Sequence, residues 1–452
     1  MTNLVVNPVN NSEDVKVSEN LDFFDTYSRS DATDPDSEIL SFSLGNLSNL
    51  LQRIHKGRLG DASAFPEITH IYNVSHANCM DGKASMLVMY YFSCILGYNS
   101  FNKDITRIER YLNYSERGGL SDLVNLSEMD NISVVDSYLL KLFPELADIG
   151  FEYNPGVVFI FADFSLPLAA LQRLALSFTV IVTDHHANPQ AAVLSCLCNP
   201  NFFHEIHTLN RPSRYTNLFV RYDKNESGAT CLFLAVQEAL KGLPKRVYGA
   251  FLNTPVKHLR MGGAVAFFYS PVESIPFLAY TRDHDLWKFE LPFSREVRAF
   301  YSAVDFKDTD SLVTHCSKVT DHNSIKDIAD KGSFCLEQIN RAVKKAVESS
   351  ALVNICGFSV YAVFASQHIS EIGNALAQIP ENTSKIGAVF QMIRNDKTPV
   401  VVSLRSVYPV DCSAIARTLG GGGHAQASGA SLTLEKFVQF MYSYFTPDYK
   451  YE

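Results

Sequence analysis

The chain has 452 residues, of which 46% are hydrophobic and 19% are charged. This composition is typical of a folded globular protein, and the length predicts two or three domains. The formal net charge of −9 excludes a broad DNA-coating surface, because such a surface needs an excess of lysine and arginine.

No apolar run reaches the roughly 18 residues that span a bilayer. The first residues contain neither a basic segment nor the long apolar segment of a secretory signal. Nine cysteines without a CxxC pair predict reduced thiols rather than a disulfide framework or a structural zinc site. We therefore expect a cytoplasmic protein with no membrane association.

The N-terminal segment is strongly acidic, since residues 1–40 hold nine acidic and only two basic side chains. Such a charge imbalance predicts a solvated, disordered tail over residues 1–45. A short apolar patch at Leu21 to Phe24 leaves a second interpretation open, in which the tail binds a protein partner.

From about residue 66 the pattern becomes that of an α/β protein. Short apolar runs at 68–74, 156–161 and 178–182 predict buried strands, and helices are predicted at 83–96 and 166–176. Buried strands that alternate with helices indicate a parallel sheet. We expect this domain to cover residues 66–300.

A second, smaller α/β domain is predicted over residues 351–445, after a helical connector at 301–350. The domain contains apolar runs typical of strands, at 357–364, 386–393 and 400–405. Predicted helices over 372–378 and 412–418 alternate with these strands.

Polar side chains follow each predicted strand of the first domain, and parallel sheets build their sites at this edge. These side chains are His76 and Asp81 after the first strand, Asp163 after the second, and Asp184, His185 and His186 after the third. Carboxylates and imidazoles are ligands for Mn²⁺, Zn²⁺ and Fe²⁺. Each could also be a helix cap or part of a surface turn.

Two further carboxylates, Asp283 and Asp285, lie close to the single tryptophan of the chain, Trp287. In an extended segment they would point the same way, since side chains two residues apart share a face of a strand. A solvated charged loop is the alternative.

The second predicted domain contains four consecutive glycines, Gly420 to Gly423, followed by His424 and, after a short run of small residues, Ser428. Glycines let a backbone approach a ligand and offer N–H groups to phosphate oxygens. A flexible linker is the alternative. Arg405, at the end of a predicted strand, could add a planar fork of donors to the same phosphate.

Taken in order, these motifs resemble the DHH phosphoesterase superfamily with a C-terminal DHHA1 domain, over about residues 66–445. The pattern is similar to the branch that cleaves short oligonucleotides and cyclic dinucleotides, and more distantly to RecJ-type exonucleases. The resemblance implies a metal-dependent phosphodiesterase in which two divalent ions, preferably Mn²⁺, activate a water.

The resemblance also implies roles for the residues. His76 would bind the first ion, Asp163 would bridge both ions, and Asp184 and His186 would support the site, with His186 able to face the scissile phosphate. The second ion would be bound by Asp81, His185 and Asp283. The family pattern favours Asp283 as this ligand, and Asp285 is its rival. Substrate would be bound by Arg405, Gly421, Gly422, Gly423, His424 and Ser428.

The first motif departs from the family pattern, because Cys79 stands where an aspartate is usual and His76 is one residue closer to it. Asn78 or a Cys79 thiolate could compensate, and a thiolate would favour Zn²⁺ or Fe²⁺ over Mn²⁺. The departure keeps open an alternative function, a nucleotide-sensing or scaffold protein with a degenerate site.

Overall fold

The computed structural model describes residues 47–61, 64–77, 79–97, 105–112, 130–186, 218–223, 225–252, 263–394, 397–407, 409–423 and 425–445. These residues belong to one compact unit, Leu40–Glu452. The predicted acidic tail, Asn78 and His424 lie outside the described residues.

Within these ranges the N-terminal part contains a parallel sheet. Its strands are β1 (His70–His76), β2 (Thr106–Leu112), β3 (Val157–Ala162), β4 (Thr179–Asp184) and β5 (Leu218–Tyr222). The described strands are ordered β2-β1-β3-β4-β5, and every neighbouring pair is parallel. The predicted parallel α/β architecture is confirmed.

Helices cover both faces of this sheet. The helices up to residue 251 are α1 (Leu47–Arg58), α2 (Met80–Leu96), α3 (Asp130–Leu142), α4 (Leu146–Ile149), α5 (Leu168–Ser177), α6 (Gly228–Lys241) and α7 (Lys245–Phe251). Strand β3 is buried along its whole length. Val158 and Ile160 pack in the core that contains α2 and α6, whereas Phe159 and Phe161 pack with α3 and α5. This burial on both faces explains why the strand is continuously apolar.

Strand β1 lies between β2 and β3, so β2 is on one side of β1 and the later strands are on the other side. Open α/β sheets bind ligands outside the carboxyl ends of the strands at such a switch point. The segments that follow β1 and β3 therefore meet at the edge where a site is expected.

A helical region joins the two sheets. It consists of α8 (Ala264–Tyr269), a short 3₁₀ helix (Val272–Ser274), α9 (Pro276–Asp285), α10 (Ser294–Ala303), α11 (Thr309–Cys316) and α12 (His322–Glu348). Lys83 in α2 donates to the carbonyl oxygens of Tyr301 and Val304 at the end of α10. This cation at a helix C-terminus fixes α10 against the first sheet.

The C-terminal part contains a second, mixed sheet. Its elements are β6 (Ala351–Ile355), β7 (Phe358–Phe364), α13 (Ile369–Ala377), β8 (Ile386–Met392), β9 (Val400–Ser406), α14 (Ser413–Thr418), β10 (Gly422–Gly423), β11 (Ala427–Leu432) and α15 (Leu434–Phe445). The described strands are ordered β10-β11-β9-β8-β7-β6. The expected second α/β domain is therefore present, although its exact boundaries stay a prediction.

No helix within the described ranges is both long enough and apolar enough to cross a membrane. The cysteines in those ranges are free thiols.

Candidate metal centre

Asp163 follows β3 directly and has an unusual backbone conformation. Its φ of 58° lies in the left-handed region, which costs a residue other than glycine about 1–3 kcal/mol. Gly228, the first residue of α6, packs against it, and a Cβ at position 228 would lie 2.5 Å from Asp163 Cα. Only a glycine therefore lets α6 approach the end of β3 this closely.

The N-terminus of α6 also binds Asp81, which lies in the first turn of α2. The Asp81 carboxylate accepts hydrogen bonds from the backbone N–H groups of Gly228 (2.6 Å) and Ala229 (3.0 Å). Ser227 caps the same helix by a capping box with Thr230. Because the N-terminal end of a helix carries partial positive charge, α6 stabilises the negative charge of Asp81.

Three carboxylates surround the His185 imidazole. Its Nε2 lies 3.2 Å from Asp285 Oδ2, 3.4 Å from Asp163 Oδ1 and 3.8 Å from Asp81 Oδ2. These side chains come from four separate segments of the chain, and the ends of β3 and β4 bring Asp163 and His185 side by side.

The second oxygen of Asp163 faces another pair of residues. Asp163 Oδ2 accepts a hydrogen bond from Cys79 Sγ at 3.3 Å and lies 4.0 Å from His76 Nδ1. Cys79 is also the N-cap of α2, since its Sγ accepts from Gly82 N at 3.0 Å. Burial raises the pKa of the Cys79 thiol well above its ordinary value, and Asp163 and Asp81 raise it further. In the absence of a metal, Cys79 is therefore a neutral thiol.

Asp184 orients the two histidines that follow it. Its Oδ1 accepts from the backbone N–H groups of His185 (2.8 Å) and His186 (3.2 Å) and lies 2.7 Å from His186 Nδ1. His186 Nδ1 is also 3.9 Å from Asp163 Oδ1. This geometry suits the supporting position expected for Asp184 and His186.

The structure reverses the predicted preference for Asp283 over Asp285. The Asp283 carboxylate accepts from the backbone N–H groups of Glu290 and Leu291 and from the Ser294 hydroxyl, so it faces a loop rather than the cluster. The segment is the end of helix α9, not an extended strand. Two residues correspond to about 200° of rotation around a helix, so only Asp285 points toward His185.

Crowded negative charge perturbs the cluster. Burial raises the pKa of Asp163 well above its usual value, and the Asp81 carboxylate raises it further. Burial also raises the pKa of Asp285 to about 6, although His185 opposes that change. The pKa of His185 is raised, because the pull of Asp285 and the other carboxylates exceeds the effect of burial, which lowers it.

The residues present fit a divalent cation. The described chain includes three groups whose donor atoms could share an ion: His76 with Cys79 and Asp163; Asp81 with His185 and Asp285; and Asp163 with Asp184, His185 and His186. Asp285 Oδ2 is buried and, apart from its 3.2 Å contact with His185 Nε2, makes no hydrogen bond among the described residues. A cation would add positive charge to a site where one imidazole faces three carboxylates, and it would displace their protons.

Arg405 lies near the carboxyl end of β9, as predicted. Its guanidinium donates to the Leu404 carbonyl (2.9 Å) and to the Ser370 hydroxyl (2.8 Å). Burial lowers the pKa of this guanidinium. Gly373 of α13 packs directly on the Arg405 stem, so the helix fixes the position of the side chain.

The glycine run forms a tight hairpin next to β9. A Cβ at Gly421 would lie 2.0 Å from Gly429 O, and one at Gly423 would lie 2.6 Å from Ala427 O, whereas Gly422 faces open space. The Ser428 hydroxyl is buried and donates to Cys412 Sγ. Packing alone therefore requires Gly421 and Gly423, whereas the side-chain positions of Gly420 and Gly422 are open. Ser428 faces the interior, in contrast to its predicted substrate contact.

Residues 357–446 match the DHHA1 domain. The oligoribonuclease NrnB of Bacillus subtilis is 26% identical over 193 residues, which covers 40% of this chain and 45% of NrnB. The chain thus matches less than half the length of this relative.

Similar solved structures include RecJ of Thermus thermophilus in complex with Mn²⁺, at 14% identity and a TM-score of 0.41. That alignment covers 88% of this chain and 55% of RecJ. A pGpG-specific phosphodiesterase from Vibrio, PggH, aligns at 11% identity and a TM-score of 0.34, covering 84% of this chain and 98% of PggH.

Proposed function

We propose that this chain is a member of the DHH/DHHA1 superfamily and a divalent-metal-dependent phosphodiesterase that hydrolyses short oligonucleotides or dinucleotides. One observation carries the proposal: the two oxygens of the buried Asp163 carboxylate face different ligand groups. Oδ1 faces His185 and His186, and Oδ2 faces Cys79 and His76. This is the arrangement required of a carboxylate that bridges two cations.

The proposed ligands follow from these contacts. His76 and Asp163 Oδ2, with Cys79 beside them, would hold one ion. Asp163 Oδ1 would hold the other ion together with Asp81, His185 and Asp285. Mn²⁺ is the proposed metal, because carboxylates and imidazoles dominate this donor set.

Divalent ions in such a pair lower the pKa of a water and stabilise the charge of a reacting phosphate. The protein residues perform the remaining tasks. Asp184 holds His186 through Nδ1, which fixes the orientation of the imidazole. His186 is partly exposed, so it is the group proposed to face the scissile phosphate and to supply a proton to the departing sugar oxygen.

The C-terminal domain is proposed to bind a neighbouring phosphate of the substrate. Arg405 in β9 and Gly422 in β10 are separated by β11, and Gly422 is level with Ser403, two residues before Arg405. A guanidinium and exposed backbone N–H groups are suited to phosphate oxygens. A second binding point beyond the metal cluster favours short ligands or strand ends over internal cleavage.

A substrate panel tests this proposal. Purified protein is incubated with linear dinucleotides, cyclic dinucleotides and single-stranded oligonucleotides, with Mn²⁺ or EDTA, and the products are resolved by mass. We expect mononucleotide products with Mn²⁺ only, and none from the isosteric Asp163→Asn variant. Nucleotide binding without turnover in Mn²⁺, Mg²⁺, Co²⁺ or Zn²⁺ would instead favour a nucleotide-sensing protein.

A further inference from the structure

The loop that follows helix α9 carries an unusual concentration of strained aromatic residues. Trp287, Phe289 and Phe293 all have a left-handed backbone, with φ values of 57°, 54° and 60°. None is a glycine, so each conformation persists only because the surrounding structure enforces it. Strain of this kind is concentrated at functional sites, and the hydrolytic mechanism above does not use these residues.

Asp283 is the group that enforces the loop conformation. Its backbone carbonyl accepts from Lys288 N (2.9 Å) and Phe289 N (3.4 Å). Its carboxylate accepts from Glu290 N (2.8 Å) and from the Ser294 hydroxyl at the start of α10. The buried Asp283 carboxylate thus stabilises the strained conformation of a surface loop.

Aromatic rings of this loop are exposed to solvent. The Trp287 ring packs edge-on against Phe289, with centroids 5.0 Å apart, and lies 5.7 Å from the His284 ring. Trp287 is 43% exposed and Phe293 is 40% exposed. The guanidinium of Arg295 lies 5.0 Å from the centre of the Phe289 ring, which adds a positive charge beneath the same cluster.

This aromatic loop follows a residue of the metal centre directly in the chain. Trp287 is two residues after Asp285, whose carboxylate lies 3.2 Å from His185 Nε2, and Trp287 N donates to the His284 carbonyl. The loop leads directly into α10, which contacts helix α13 of the C-terminal part through an ion pair between Arg298 and Glu371. Arg405 hydrogen-bonds to Ser370, one residue before Glu371. The loop therefore precedes the helix, α10, whose contact with α13 connects the first domain to the region of Arg405.

We infer that Trp287 is a stacking platform for the base of a nucleotide bound at the metal centre, an inference that rests on the proposed function. Every nucleobase offers a flat π-face to an aromatic side chain, so this contact tolerates many sequences. The size of the surface also fits a base. One exposed indole matches one base, whereas a specific protein partner would bury about 800 Å² on each side.

The composition of the chain supplies a direct probe, because Trp287 is its single tryptophan. We titrate the wild-type protein with AMP in Mn²⁺ and record tryptophan fluorescence, with ribose 5-phosphate as the base-free control. We expect saturable quenching by AMP and no quenching by ribose 5-phosphate. Identical responses to the two compounds, or no response to AMP, would overturn the inference.

Kinetics of Trp287→Leu provide a second measurement. We expect the KM for a dinucleotide to rise about 5- to 140-fold, the range that corresponds to measured base–aromatic stacking, with little change in kcat. Trp287→Phe should restore most of the loss, and a dinucleotide lacking its bases should show no difference between variants. The control, Phe334→Leu, removes a more exposed ring on α12 and should leave KM unchanged.

The outcomes separate this inference from the proposed function. If wild-type protein hydrolyses dinucleotides but Trp287→Leu has an unchanged KM, the stacking role is refuted and the phosphodiesterase stands. If AMP quenches the tryptophan but no substrate is hydrolysed, the base-binding role stands and the phosphodiesterase is refuted.

Discussion

Replacing Gly228 by alanine adds one atom, a Cβ, beside the metal centre. The added Cβ would lie 2.5 Å from both Cα and Cβ of Asp163, whereas ordinary contacts begin at 3.4 Å. Helix α6 and the end of β3 must therefore separate by about 1 Å, since the atoms involved are mainly backbone. Asp81 moves as well, because Gly228 N and Ala229 N are its hydrogen-bond donors.

Two magnitudes follow from this separation. Overpacking of a close-packed region costs about 1–3 kcal/mol of unfolding free energy. Misplacing catalytic groups by about 1 Å can lower the rate about 100-fold. We therefore expect Gly228→Ala to lose about two orders of magnitude in kcat/KM, with a loss of stability too small to unfold the protein.

The assay combines dinucleotide hydrolysis at saturating Mn²⁺ with denaturant unfolding. The matched control is Gly249→Ala in α7, where an added Cβ meets nothing within 4 Å. That variant should keep full activity and gain up to about 1 kcal/mol from the helix propensity of alanine. Full activity and unchanged stability in Gly228→Ala would refute the close packing of α6 against Asp163.

Three further predictions concern the ligands. Asp285→Asn should abolish activity with little loss of stability, whereas Asp283→Asn should mainly lower stability and raise KM by releasing the aromatic loop; equal effects on Mn²⁺ affinity would contradict the assignment. Cys79→Asp should tighten Mn²⁺ binding, because aspartate can still cap α2 and adds a carboxylate beside Asp163; an unchanged affinity in calorimetry would exclude a ligand position. Mn²⁺ affinity should rise from pH 5 to pH 7.5, because ligation requires loss of protons from Asp285, with a pKa of about 6, and from His185, with a raised pKa; a flat profile would contradict these shifts.

The raised pKa of Asp285 also determines how this group changes the folding stability with pH. The folded pKa of Asp285 is raised above its ordinary value of 3.8. Without metal, this carboxyl therefore stays protonated in the folded chain between about pH 4 and pH 6 but ionises in the unfolded chain, so its own contribution to stability falls as pH rises through that window. Mn²⁺ should offset this loss by displacing the protons.

Local sequence patterns were sufficient to predict the positions of the strand-end residues. Strands β3 and β4 are short and continuously apolar, which indicates burial on both faces, and Asp163 and Asp184 come directly at their ends. Parallel neighbours bring such ends together without any further information. The predicted C-terminal DHHA1 domain is confirmed by the family match over residues 357–446.

The choice between Asp283 and Asp285 depended on a conformation that the sequence left ambiguous. The polar end of the segment, around these two carboxylates, has no clear apolar period. A strand places side chains two residues apart on the same face, whereas a helix places them on nearly opposite faces. The burial of Ser428 had no local signal either, since its partner Cys412 lies on a different element.

The pairing of Asp81 with the α6 N-terminus is a long-range contact. A capping box at Ser227 and Thr230 identifies a helix start, but it does not indicate which anion that helix will bind. The partner lies 147 residues earlier in the chain. Only the folded sheet shows that the two segments meet.

Anomalous diffraction at the manganese edge, from crystals grown with Mn²⁺, tests the metal centre most directly. We expect two peaks, one on each side of the Asp163 carboxylate: the first near His76 and Cys79, and the second between Asp81, His185 and Asp285. Absence of any peak at Asp163, or a peak at Asp283 instead, would contradict the proposed two-ion centre.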